Sequence, residues 1–322
     1  MNTPLLCRLR LTLAALVGMC LGFPSIQAEE KPAAQLVMAK LLVTVEGEKD
    51  KQPPELKRED VLVKVGKERV QLKHWEAAKG QYADLALFIL IDDVLDPSTG
   101  GLFGDIREFI KAQPTTTLIG VAYMRNGTIS VMQDLTNDHE AAAKAVRIPV
   151  GNAGTYGNPY LSMTSLVKKW PDHEGRKEVL MITDGIDRMR RKTSRMDVMG
   201  PSTDVDSASS AAQRAGILVH SFYATGVGHL TRTNSWAASG GQNGLAKLAE
   251  ETGADSYFLG YSTPVSFKPY LEELQRVLDN QYWLAFDIKP GSKPALKWVD
   301  VSTEVPGAEI VSANNVFVPA AK

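Results

Sequence analysis

Two apolar runs in this chain stop at acids: Leu85–Ile91 runs into Asp92-Asp93, and Val179–Thr183 runs into Asp184-Gly185. Carboxylates brought together from two strand ends can hold a hard cation, which takes oxygen ligands, or a ligand that carries one. Uninterrupted apolar runs of this length read as strands covered on both faces, as in a parallel α/β sheet. The carboxyl ends of neighbouring strands in such a sheet open on one crevice, where ligands sit.

Further pieces fall around these strands. Asn158-Pro159 reads as a helix cap with a first-turn proline, following the glycine-rich loop Gly151–Gly157. Asn126-Gly127 joins strands Thr117–Met124 and Thr128–Gln133 as a two-residue hairpin. Helices are expected near Leu102–Ala112, Asp138–Val146, Tyr160–Trp170, Ser202–Ala215, Gly244–Thr252 and Phe267–Asp279, with strand Ile217–Tyr223 between them. The segment Ala224–Gln242, rich in Gly, Ser and Thr, reads as a long loop. This order predicts a doubly wound, mostly parallel α/β sheet over residues 82–282, with one antiparallel edge strand. Alternating segments at 34–78 and again at 283–318 predict a small antiparallel β unit built from both flanks.

Residues 1–28 read as an export signal. Arg8 and Arg10 open it, Leu11–Phe23 is its apolar core, and Ile26-Gln27-Ala28 is a cleavage site. The apolar core falls short of the roughly 20 residues that span a bilayer, and no later stretch reaches that length. Both cysteines, Cys7 and Cys20, leave with the signal, so no disulfide is expected in the exported chain. Losing Arg8 and Arg10 leaves 34 basic side chains against 37 acidic ones, a net −3, which gives no electrostatic case for nucleic acid or an anionic membrane. The basic stretch Arg188–Arg195 reads as a solvated loop.

The strings LFILIDD (87–93), GTYGNPYLSM (154–163), EVLMITDGID (178–187) and LEELQRVLDNQYWLAF (271–286), in that order, resemble the von Willebrand factor A (VWA) domain, and most closely its secreted bacterial type with short β flanks. The resemblance spans roughly residues 34–318 and implies a metal-ion-dependent adhesion site. In that family an Asp-x-Ser-x-Ser loop, a Gly-Thr loop and a later strand-end Asp hold one divalent cation, and a partner's carboxylate completes its shell. Thr155 and Asp184 match two of these positions. Counting from Asp92 puts Val94 and Asp96 where the serines belong, so both hydroxyls are missing. One reading keeps a variant site of Asp92, Asp96, Thr155 and Asp184, with the extra negative charge favouring Ca²⁺ or Mn²⁺ over Mg²⁺. The other makes the acids solvated loop residues or helix caps.

Enzyme motifs are lacking: there is no G-x-S-x-G elbow, Walker loop or H-E-x-x-H. His220, inside a strand, reads as a satisfied core histidine, and His229 falls in the long loop. The expectation is therefore a non-catalytic exported module, periplasmic or extracellular, that grips another protein of the envelope or exterior. Asp93, Ser98, Tyr156, Asn158, Tyr160 and Asp187 would form its rim over the carboxyl edge of the sheet. The alternatives are an exported metal-assisted hydrolase using the same acids, or a structural envelope protein binding through its β unit.

Overall fold

The computed structural model describes residues 36–48, 51–151, 157–189, 202–227, 235–258, 262 and 264–321. At its centre lies a six-stranded sheet of β5 (Leu85–Asp92), β6 (Thr117–Arg125), β7 (Thr128–Thr136), β8 (Arg176–Thr183), β9 (Ile217–Tyr223) and β10 (Ser256–Tyr257). The strands lie in the order β7-β6-β5-β8-β9-β10, all parallel except the β6–β7 hairpin. Numbered within the sheet this is 3-2-1-4-5-6, a doubly wound order whose direction of winding reverses between β5 and β8. The fold class is mixed α/β, as the apolar runs predict.

Every residue of β5 is buried, and alternate side chains serve opposite layers. Leu87, Ile89 and Ile91 pack with α1 (Phe103–Ala112), α2 (His139–Ala145) and α6 (Lys268–Asp279) through Phe103, Ile106, Ala142, Leu271 and Leu274. Phe88 and Leu90 meet α3 (Pro159–Lys168), α4 (Asp204–Ala215) and α5 (Ser235–Thr252) through Tyr160, Met163, Val205, Ala208 and Leu245. Two-sided covering explains why the sequence shows unbroken apolar runs here rather than alternation.

Helix α5 departs from expectation, because the loop predicted over 224–242 is helical from Ser235 onward. Gly240 and Gly241 fall in the stretch read as a loop, since each glycine weakens a helix by about 1 kcal/mol, while Gly244 reads as the start of a helix that in fact begins nine residues earlier. Gly241 and Gly244 allow close packing: a β-carbon at Gly241 would strike the Asp184 carbonyl oxygen, and one at Gly244 would strike the Tyr160 hydroxyl.

The flanking strands form two four-stranded sheets around one core. The first runs β13-β1-β11-β4 and the second β14-β12-β2-β3. Their members are β1 (Val37–Gly47), β2 (Val61–Val65), β3 (Glu68–Val70), β4 (Leu72–Ala77), β11 (Gln281–Ile288), β12 (Ala295–Thr303), β13 (Ala308–Ser312) and β14 (Asn315–Val318). Val43, Val63, Leu284, Phe286, Val299 and Val301 share that core. Strand β11 pairs antiparallel with β1 along Val37–Thr44 and with β4 on its other side, so the two ends of the chain interleave. The whole α/β layer is thus inserted between β4 and β11.

Arg176, buried at the start of β8, ties this junction. It donates to the Leu278 carbonyl and Gln281 Oε1 at 2.8 Å each, and to the Ala83 carbonyl at 2.9 Å. Replacing it strands two buried acceptors and a part-buried one. Arg176→Ala is expected to lower unfolding free energy by about 2–3 kcal/mol in urea denaturation; a loss under about 0.5 kcal/mol would show that the junction is held by the sheets alone.

Candidate functional site at the carboxyl edge of the sheet

Asp92 ends β5 and Asp184 follows β8, next to each other at the reversal of winding. Asp92 Oδ2 accepts from Thr183 Oγ1 at 2.6 Å, and its Oδ1 accepts from the Val94 amide at 3.2 Å. Asp184 Oδ1 accepts from the Ile186 amide at 3.0 Å. Both carboxylates are buried. Burial and the neighbouring Asp184 charge push the Asp92 carboxyl up to about 6, against the opposing pull of Arg188, Thr183 and Val94.

The cation that meets this pair is Arg188. Its guanidinium makes a two-pronged contact with Asp184: Nη1 donates to Oδ1 at 3.0 Å and Nη2 donates to Oδ2. Its side chain is only 9% exposed. Burial opposes the charge, yet the Asp184 and Asp92 carboxylates outweigh it and hold the guanidinium above its ordinary value. The Arg188 amide donates to the Gly157 carbonyl at 2.7 Å, fastening the strand-end loop to the approach of α3.

The next acid has its own arginine. Asp93 Oδ1 and Oδ2 accept from Arg147 Nη1 and Nη2 at 2.7 and 3.0 Å, and Oδ1 also accepts from the Val150 amide. The Arg147 guanidinium lies 3.9 Å from the centre of the Tyr123 ring. Burial raises the Asp93 carboxyl, but the bonds from Arg147 and Val150 prevail and hold it below the usual range. Asp96 caps the short 3-10 turn Pro97–Leu102 by accepting from the Ser98 amide at 3.0 Å.

Of the four expected metal ligands, Asp92 and Asp184 therefore converge, Asp96 sits on the adjoining loop, and Thr155 lies outside the described residues. Among the described residues the donor set does not fit a divalent cation. Both oxygens of Asp92 and of Asp184 already accept protein hydrogen bonds, Val94 brings only an apolar side chain, and a guanidinium occupies the charge centre. Mg²⁺ or Ca²⁺ needs about six oxygens, and a cation beside Arg188 would meet like charge.

Among the expected rim residues, Ser98 is exposed and Tyr156 lies outside the described residues. The other four are corrected from surface to interior. Asn158 caps α3, accepting from the Tyr160 and Leu161 amides at 3.0 Å and donating to Asp204 at 2.7 Å. Tyr160 is fully buried, and its hydroxyl donates to the Gly185 carbonyl at 2.9 Å. Asp187 accepts from Ser202 Oγ and the Met189 amide, and Asp93 is bound as above. All four hold loops in place, which their capping chemistry allows and a rim reading of the sequence ignored.

Sequence reasoning missed Arg147, Arg188 and Gly226. Arg188 left a trace, as the first residue of a basic run read as solvated; residues 190–195 of that run lie outside the described residues. His220 is the satisfied core histidine expected: Nδ1 accepts from the Asp255 amide at 3.2 Å, and Nε2 donates to Glu178 at 3.0 Å. His229 lies outside the described residues.

No family model matches the chain, and no curated protein matches it. Similar solved structures include the human COPII-coat protein Sec24c, at 10% identity and TM-score 0.45, covering 74% of this chain and 44% of that one. This chain thus spans less than half of that protein. An aerotolerance-related membrane protein from Bacteroides fragilis is 11% identical with TM-score 0.42, covering 61% of this chain and 98% of that one. The SpRpn10 VWA domain is 12% identical with TM-score 0.33, covering 59% and 93%. One of these is a domain of the kind the sequence resembles. At such scores the likenesses carry no argument about function, and the fold stands on its strand order.

Arg147→Ala is expected to lower stability by about 1 kcal/mol at neutral pH, since the guanidinium is a third exposed and partly screened. A depressed acid stabilises above its unfolded value and loses that contribution as pH falls through its folded value. The difference between wild type and Arg147→Ala, measured by denaturant unfolding, should therefore shrink below about pH 4. A difference that grows on acidification contradicts the pairing.

Proposed function

We propose that this chain is an exported, non-catalytic protein-binding module that presents the loops over the carboxyl edge of its central sheet to another protein. The observation that carries this reading is the exposure of large apolar side chains on those loops. Ile148 is 54% exposed, Val150 60%, Met189 47% and Trp236 41%. Ile148 and Val150 follow α2, Met189 follows β8, and Trp236 opens α5, all at the end of the sheet where Asp92 and Asp184 lie. Exposed apolar and aromatic residues held on rigid loops are what anchors a protein interface.

The rigidity has visible causes. The Val150 and Gly151 amides bind Asp93, and the Arg188 amide binds Gly157. The chemistry around them supports binding over catalysis, because Asp92, Asp93 and Asp184 are all committed to protein donors. Export rests on the signal character of residues 1–28. Among the described residues no helix is long and apolar enough to cross a membrane.

Site-specific photo-crosslinking in the native host tests the proposal. A photoreactive residue at Val150 is expected to give one discrete adduct, and the same probe at Trp298, exposed on the β unit, is expected to give none. An adduct from Trp298 with none from Val150 would transfer the binding role to the β unit.

A further inference from the structure

We infer that Arg188 is a built-in cation at the reversal point of the sheet, taking the charge-balancing place of a divalent ion, so that the rim keeps its shape without metal. Three separate segments hold Arg188, two of them at its guanidinium and one at its backbone. Asp184 supplies two oxygens to it, and the Gly157 carbonyl holds its backbone. Gly226, beyond β9, closes the back: a β-carbon there would run into Asp184 Oδ2 and stand 2.7 Å from Arg188 Nη2. A glycine at this spot lets the loop pass close over the ion pair, and the Asp96 amide reaches the neighbouring Thr225 carbonyl at 3.0 Å to hold that loop down.

The charge argument runs the same way. Two buried carboxylates side by side repel unless a cation lies between them or protons neutralise one. A planar guanidinium matches a carboxylate with two parallel N–H bonds and keeps its proton at any physiological pH. Unlike a bound ion, it cannot be removed by a chelator or diluted away. The missing serine hydroxyls of the β5 loop are then no defect, because no ion needs them. The inference concerns the chain by itself and stands whether or not the rim captures a partner.

Thermal melts of the whole exported chain decide it. The wild type is expected to melt at one temperature, within about 1 °C, in chelator and in millimolar Mg²⁺, Mn²⁺ or Ca²⁺; a bound ion in excess would shift the midpoint by several degrees. Arg188→Ser is expected to melt far lower and to gain several degrees from Mn²⁺ or Ca²⁺, since the acids are then left without their cation. Should Arg188→Ser not fold, the double variant Asp184→Asn with Arg188→Ser is expected to recover folding. A wild type that loses stability in chelator overturns the inference. So does an Arg188→Ser protein that melts like the wild type, or a double variant that also stays unfolded.

Discussion

Placing two carboxylates under the surface at neighbouring strand ends is the constraint to which much of the molecule answers. Isolated buried charges cost several kcal/mol each, and removing one partner of a buried pair typically costs about 3–5 kcal/mol. The chain solves this with arginines placed in its own loops. Arg188 pairs with Asp184 and lies close enough to Asp92 to offset part of its charge, while Arg147 pairs with Asp93. Each pair pins one loop of the rim: the 184–189 segment through the first, the 147–151 segment through the second. Electrostatic compensation and loop geometry are therefore one device, and the exposed apolar residues ride on it.

The same economy recurs away from the rim. Arg176 serves the Ala83 and Leu278 carbonyls and the Gln281 side chain where the sheet meets the interleaved strands. His220 and Glu178 are buried against each other inside the sheet. On β1 of the flanking sheet, burial and the nearby Asp255 and Glu309 charges push Glu46 up to about 7. Arg176 with Gln281, and Gln213 with Asn314, join the α/β part to the flanking β sheets by directed bonds as well as apolar contact.

Much of the fold was legible in the residues. Unbroken apolar runs gave β5 and β8, Asn126-Gly127 gave the hairpin that makes β7 the antiparallel edge, and Asn158-Pro159 gave the start of α3. What local pattern could not show was close approach. Gly241 looks like a loop residue until the Asp184 carbonyl is seen pressed against it. The candidate site was legible only in part for a similar reason. The convergence of Asp92 and Asp184 follows from strand order, but their partner is set by a side chain four residues on in a loop, which carries no periodicity. Asn158 and Tyr160 were placed at the rim because loop residues near a strand end face solvent on average. Here capping and a hydroxyl bond to Gly185 draw them inside.

The central claim is that Asp184 and Arg188 act as one neutral unit, and a double-mutant cycle measures this most directly. Asp184→Asn, Arg188→Met and the double variant would be compared by urea unfolding. The account predicts a coupling of about 2–3 kcal/mol, with the double variant more stable than the sum of the single losses implies. Additive losses, with coupling near zero, would mean that the guanidinium merely lies beside the carboxylate and that something else balances the buried charge.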